Sequence, residues 1–334
     1  VATFCVALWL TFTLPLTTCL DWLHKLNMQP NQVGSSMKKI IPVLVSSAFV
    51  LASGSALATP LITTFEGFTT GASVNGQGGW GVSGTFDEEV VDDGTGNTVW
   101  RVSNAITSGN FHNQPFAPRP GGIPTDTTTD PVNGNPGSFA GESSTGAGFD
   151  RFTTGFDFRS ATGLTQDGLS ITFSADSGQG GRHGFIDIED NGVDGLNIVT
   201  FDRDSGGNLV GPLTIATGLS YDVFHSFSME ILFEDGADND VVNYFVDGSL
   251  VHTGQSWEQF YTNAQAALHP LGVPVQTGLF RISGAEVPGV DGGGLFIDNF
   301  SQEVSSSQPV PEPSALALFG LSLIGLTMLR RRKV

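Results

Sequence analysis

The chain has 334 residues, a formal net charge of −19 at pH 7 and two cysteines, Cys5 and Cys19. The stretch 59–313 holds seven arginines, 32 carboxylates and no lysine, so it should repel nucleic acids and anionic lipids. Because both cysteines precede this stretch, a disulfide scaffold and a cysteine metal site are excluded within it.

Residues 37–58 have the three zones of a secretory signal peptide. Met37 opens a Met-Lys-Lys start, an uncharged run follows over 40–51, and small residues at Ala56 and Ala58 suit cleavage after Ala58. The pattern predicts passage through the Sec translocon and removal of the signal by a signal peptidase.

Residues 1–36 come before this complete signal. We expect them to be an untranslated upstream extension that results from start-site assignment. Since residues 3–20 are uncharged, a membrane helix there is the alternative.

Residues 59–303 read as short apolar or alternating runs separated by Gly, Asp, Asn and Ser clusters, which is typical of an all-β domain. The number of runs favours two stacked sheets. The Asp247-Gly248 step predicts a tight hairpin because both residues tolerate positive φ. Only 257–268 could hold a short helix. The predicted strands are 61–66, 98–103, 152–158, 169–174, 184–189, 198–202, 226–233, 241–246, 250–253, 279–283 and 295–300.

Three segments of this domain resemble the concanavalin A-like, laminin G-like jelly roll. They are Thr63-Thr-Phe-Glu-Gly-Phe68 running to Asn75-Gly-Gln-Gly-Gly-Trp80, then Tyr244-Phe-Val-Asp-Gly-Ser-Leu-Val-His-Thr-Gly-Gln-Ser-Trp257, and Gly294-Leu-Phe-Ile-Asp-Asn-Phe300. The resemblance implies a two-sheet jelly-roll β-sandwich whose first and last strands pair.

The C-terminal residues divide into a polar linker, 304–310, and a three-part end, 311–334. Its apolar run, 315–329, would span about 22 Å as a helix, short of the ~30 Å hydrocarbon core. By the positive-inside rule the basic end stays cytoplasmic and the folded domain lies outside the inner membrane. The parts of the end are Pro311, Glu312 and Pro313, then the apolar run, then Arg330, Arg331, Arg332 and Lys333.

This three-part end resembles the PEP-CTERM sorting signal, and an ordinary tail anchor is the alternative. The resemblance implies a Gram-negative host in which an exosortase, a membrane cysteine transpeptidase, cleaves near Pro311. It also implies transient residence in the inner membrane, a final location at the cell surface or in the matrix, and a link to exopolysaccharide production.

Acidic residues at two-residue spacing make the candidate metal site. Asp187, Glu189 and Asn191 precede a glycine at the sixth position, as in a calcium loop, but position twelve is Ile198 instead of a bidentate Glu. Further hard oxygen ligands occur in 202–204 and 234–240. Calcium is the one cofactor that these patterns suggest.

Three large aromatic residues, Trp80, Trp257 and Tyr261, are the candidates for stacking on sugar rings, although such residues in a sandwich more often belong to the core. No E-x-D-x-x-E, G-x-S-x-G or H-E-x-x-H string occurs, which argues against catalysis. Asp187 and Glu189, on one face of a predicted strand, are the nearest approximation to a carboxylate pair.

We therefore expect an exported, exosortase-processed cell-surface or biofilm-matrix protein that binds extracellular polysaccharide without catalysis. Two alternatives stay open: a polysaccharide hydrolase or lyase on the same scaffold, and a purely structural matrix protein.

Overall fold

The structure is a computed structural model that describes residues 60–107, 114–119, 139–142, 147–178, 181–192, 195–204, 206–236, 238–264 and 274–306. The upstream extension, the signal peptide and the sorting segment lie outside the described residues. Among the residues that are described, no helix is long and apolar enough to cross a membrane.

Fifteen strands make up most of the described chain. They are β1 (Leu61–Thr63), β2 (Gly81–Ser83), β3 (Asp87–Asp92), β4 (Thr98–Ser103), β5 (Gln114–Phe116), β6 (Arg151–Ser160), β7 (Leu169–Asp176), β8 (Arg182–Asp190), β9 (Leu196–Arg203), β10 (Leu209–Leu219), β11 (His225–Leu232), β12 (Val241–Val246), β13 (Ser249–Gln255), β14 (Thr277–Arg281) and β15 (Leu295–Ser305). Within these described ranges one helix, α1 (Glu258–Ala264), follows β13, and a 3-10 turn covers Pro288–Val290.

The strands form two antiparallel sheets. The eight-stranded sheet runs β13-β12-β11-β6-β15-β4-β3, with β1 paired to β15, and the seven-stranded sheet runs β10-β9-β8-β7-β14-β5-β2. The first and last strands pair with Ile62 opposite Ser301. The predicted two-sheet jelly-roll β-sandwich is therefore confirmed.

The predicted hairpin is present between β12 and β13. Asp247 and Gly248 have φ values of 51° and 73°, the left-handed conformation that a tight two-residue connection requires. Asp247 also receives hydrogen bonds from the backbone N–H of Ser226 (2.9 Å) and joins Nδ1 of His225 at 2.8 Å, which fixes the turn against the neighbouring strand.

Aromatic side chains fill the space between the two sheets. Phe173 of the seven-stranded sheet packs against Phe156 and Phe300 of the other sheet, at centroid distances of 4.9 and 6.1 Å. Trp80 and Trp100 extend this core, with 5.5 Å between their ring centroids. In β7, β8 and β14 the residues that alternate with the core residues point away from the other sheet, and several of them, such as Ser174 and Arg281, are themselves buried.

Candidate functional site: the outer face of the seven-stranded sheet

The outer face, which we define as the side of the seven-stranded sheet directed away from the eight-stranded sheet, gathers polar side chains at its centre. Phe173 pairs with Ile186 on the core side, so their neighbours Thr172 and Asp187 pair on the outer face. Arg281 of β14 lies opposite Thr172, which makes a row of three polar residues across three strands.

Asp187 and Glu189, here called the carboxyl pair, occupy alternate positions of β8 on this outer face. Burial raises the pKa of Asp187, and the hydrogen bond from the Thr172 hydroxyl and the charge of Arg182 only partly offset that rise. Burial also raises the pKa of Glu189, and the negative charge of Asp187 raises it further. Raised carboxyl pKa values at a partly exposed position are typical of binding and catalytic sites.

The spacing of the carboxyl pair follows from strand geometry. Alternate residues of one strand are about 6.6 Å apart, inside the range of about 5 to 9.5 Å found between glycosidase carboxyls. The third acid of a jelly-roll glycosidase string is missing, because position 192 is a glycine. Asp190 instead accepts hydrogen bonds from the backbone N–H groups of Gln166 and Gly192, at 2.5 and 2.9 Å.

The predicted metal residues are only partly together. Asp187 and Glu189 share the outer face, whereas Asn191 lies beyond the end of β8 and is exposed. Asp202 and Asp204 hold local structure: Asp202 accepts the backbone N–H of Gln255 at 2.9 Å, and Asp204 accepts that of Asn208 at 2.9 Å.

Two of the predicted sugar-stacking residues meet on the outer face. Trp257 packs edge-on against Phe185 of β8, with 5.1 Å between centroids, and Tyr261 of α1 accepts the backbone N–H of Arg182 at 2.6 Å. The guanidinium of Arg203 lies 4.0 Å from the centroid of the Trp257 ring. Both aromatic rings are buried, so they stabilise the contact between α1 and the sheet instead of presenting a ring face to a sugar.

The third predicted sugar-stacking residue, Trp80, lies in the core. Its side chain is 2% exposed and packs against Phe65, Phe280 and Phe300 at centroid distances of 5.6, 6.3 and 5.2 Å. A ring in that position has no free face, which corrects the role that the sequence suggested for Trp80.

An open groove of about 630 Å³ lies beside the loop that precedes β2. Its polar side chains are used by the loop itself. Gln77 Oε1 accepts the N–H of Thr69 at 2.7 Å, and Asn75 Oδ1 accepts the N–H of Val82 at 3.2 Å. The groove is therefore concave, but the side-chain oxygens of Gln77 and Asn75 already accept hydrogen bonds from the protein backbone.

A second acidic site was missed by sequence reasoning. The side-chain oxygens of Glu142, Asp240 and Glu258, here called the carboxyl triad, all lie within 4.8 Å of one another. Burial raises the pKa of Asp240 to about 6. Burial, the hydrogen bond with Glu142 and the charge of Asp240 raise the pKa of Glu258 to about 8. The sequence signalled only the 234–240 loop, since the other two residues are distant along the chain.

Solved structures with a similar arrangement include carbohydrate-active proteins. Alginate lyase Aly36B matches with a TM-score of 0.40 and 11% identity, over 74% of this chain and 98% of that one. An alginate lyase from Pseudomonas aeruginosa matches with a TM-score of 0.38 and 13% identity, over 62% and 82%. The carbohydrate recognition domain of Emp47p matches with a TM-score of 0.37 and 12% identity, over 76% and 100%.

No curated protein matches this chain significantly. One family matches its C-terminal end: residues 309–333 fit the PEP-CTERM protein-sorting motif. The predicted triplet Pro311, Glu312 and Pro313 and the basic residues up to Lys333 fall inside the matched range. The chain therefore carries a PEP-CTERM protein-sorting motif, which indicates export and a location in the envelope or outside the cell of a Gram-negative bacterium.

Proposed function

We propose that this chain is an exosortase-processed protein of the cell surface or biofilm matrix, and that its jelly roll binds extracellular polysaccharide without cleaving it. The carboxyl pair on the outer face is the observation that carries the binding proposal. Carboxylate oxygens accept hydrogen bonds from sugar hydroxyls, and the Thr172 hydroxyl lies beside them.

The processing part of this proposal rests on the signal peptide, 37–58, and on the C-terminal segment 311–334. Cleavage after Ala58 by a signal peptidase, following Sec-dependent export, would leave residues 59–310 as the mature part together with the sorting motif. Exosortase cleavage near Pro311 would then separate the domain from its short apolar run.

The binding proposal is tested with variants of the carboxyl pair. Asp187→Asn and Glu189→Gln remove charge with little change of shape, and we expect each to weaken binding to the best polysaccharide of a purified panel by about tenfold, or 1.4 kcal/mol. Asp222→Asn is the matched control, because Asp222 is an exposed acid elsewhere. The panel should include neutral and uronate-containing polymers, and affinity is measured by calorimetry.

Equal affinity in the pair variants and the control would remove the outer face from consideration. The absence of binding to every polymer would leave the structural matrix protein as the better account.

A polysaccharide hydrolase or lyase is the second candidate. The spacing of the carboxyl pair favours it, and burial raises the pKa of both groups, which is the direction that a general acid requires. Release of reducing ends or of unsaturated products from the same panel, lost in Asp187→Asn and Glu189→Gln, would establish this function and contradict the noncatalytic proposal.

A further inference from the structure

The carboxyl triad joins three parts of the chain that are far apart in sequence. Glu142 belongs to the segment 139–142, Asp240 immediately precedes β12, and Glu258 is the first residue of α1. Asp240 is 3% exposed and Glu258 is 5% exposed, so both carboxyls are taken out of water. Burial of this kind is costly unless a positive charge or protons compensate it.

Hydrogen bonds from neutral groups hold two members of the triad in position. The backbone N–H of Glu234 donates to Asp240 Oδ1 at 3.0 Å, and the Ser256 hydroxyl donates to Oδ2 at 2.7 Å. The backbone N–H of Gly236 donates to Glu142 Oε1 at 3.2 Å. Among the described residues, neither Asp240 nor Glu258 forms an ion pair with a basic side chain.

Two buried oxygens at this place have no hydrogen-bond donor. Glu258 Oε2 and Asn239 Oδ1 are both inaccessible to solvent, and no described group donates a hydrogen bond to either. Asn239, Asp240, Ser256 and Glu258 line one narrow crevice that is too small for a water molecule. Buried oxygens that receive no hydrogen bond are rare in folded proteins. Here they indicate a position where a cation or a proton would bind.

The donor set selects the kind of cation. The nearby side-chain atoms are carboxylate, amide and hydroxyl oxygens, which calcium prefers, and the set contains no histidine or cysteine that would favour zinc or copper. Three carboxylates also match the high charge of calcium sites. Protons shared within the triad are the competing explanation, because they too would neutralise it.

We propose that Glu142, Asp240 and Glu258, together with Asn239 Oδ1, form a calcium site that fastens the 234–240 loop to α1 and to the segment 139–142. This site is separate from the carboxyl pair on the outer face, and the proposal does not depend on sugar binding. Its role is structural: it neutralises buried acids and holds α1 in place beside the seven-stranded sheet.

The test is thermal unfolding and calorimetry of the purified chain after chelation and removal of the chelator. For an extracellular site we expect a Kd of about 10⁻⁴ to 10⁻³ M. Calcium at a hundredfold excess over that Kd should raise Tm by about 5 to 10 °C at pH 8. Glu258→Gln should weaken calcium binding at least about tenfold, since ligand charge tunes affinity, while Glu303→Gln, an acid of β15, should bind calcium like the parent chain.

Terbium provides a second measurement that does not depend on a variant folding. Trp257 is adjacent to Glu258, so excitation of tryptophan should sensitise terbium luminescence, and calcium should compete it away. Three results would overturn the proposal: no heat and no Tm shift with calcium, unchanged affinity in Glu258→Gln, or stabilisation by acid alone with no response to calcium or terbium. The last result would mean that protons neutralise the triad.

Discussion

The pKa values of individual buried acidic residues in this protein are shifted in opposite directions. On the eight-stranded sheet, Arg101 forms two hydrogen bonds with Asp87, at 2.7 and 2.8 Å. Burial alone would raise the pKa of Asp87, but the hydrogen bonds from Arg101 and Ser103 outweigh it and the pKa is lowered. In the carboxyl triad, no basic side chain of the described residues pairs with Asp240 or Glu258, and burial raises both pKa values.

This contrast gives the pH dependence of stability a definite sign. The folded chain binds more protons than the unfolded chain between the ordinary pKa of a group and its raised value, from 4.5 to about 8 for Glu258 and from 3.8 to about 6 for Asp240. The free energy of unfolding of the calcium-free protein should therefore fall as the pH rises through these windows. Denaturant midpoints across the pH range measure it.

Glu258→Gln should flatten this decline, because the amide has no proton to lose. A calcium-free parent chain whose stability rises between pH 5 and pH 8 would contradict the raised pKa values. Below pH 4 the sign reverses for Asp87, whose lowered pKa means that stability is lost as the carboxylate becomes protonated.

At the scale of single strands, the local pattern predicted most of the sheet residues. Strands β4 and β12 have the predicted bounds, 98–103 and 241–246, because alternation and β-branched residues agree over six positions. Strand β3 was missed since it opens with three acidic residues, and β10 was missed since it contains Gly211-Pro212. Strand β10 tolerates proline because it lies at the edge of its sheet.

Glycine in β14 shows how closely the sheets pack. A Cβ at Gly278 would lie 2.7 Å from Phe300 Cζ and 3.0 Å from Phe173 Cε2. Gly278→Ala should therefore destabilise the domain by about 1 to 3 kcal/mol, the usual cost of overpacking. Denaturant unfolding measures the effect, with Gly289→Ala as the control because no atom lies within 4 Å of its Cβ. Equal stability of the two variants would show that this part of the core can expand.

At the scale of the whole molecule, the fold and the sorting motif could be predicted from the sequence more readily than the functional sites. The jelly roll and the sorting motif are encoded in contiguous patterns, which a sequence displays directly. The carboxyl triad is not, since Glu142 and Asp240 meet only after the chain has folded. For Trp80 the residue type suited both stacking on a sugar and packing in the core, and only the fold decides between them.

The sorting proposal makes a prediction for the complete chain. Replacing Pro311, Glu312 and Pro313 together by alanine should block cleavage, because an alanine run favours a helix, whereas proline favours the extended backbone that we expect a processing enzyme to need. In a host with an exosortase, the uncut form should then accumulate in the membrane fraction, as mass spectrometry of the C-terminal peptide would show. Ser307→Ala in the linker is the control, and an identical shortened product from both chains would contradict the prediction.

The position of β15 has a mechanical consequence for a chain held by its C-terminal end. Strand β15 lies in the interior of its sheet, between β6 and β4, and forms nine residue pairs with β6, with a register shift between Asp298 and Ser301. Tension that enters at Ser305 along the strand axis loads these pairs in shear, so that several of them must break together, whereas a force perpendicular to the strand would break them one at a time. The jelly roll is thus held through a strand that is paired on both of its sides.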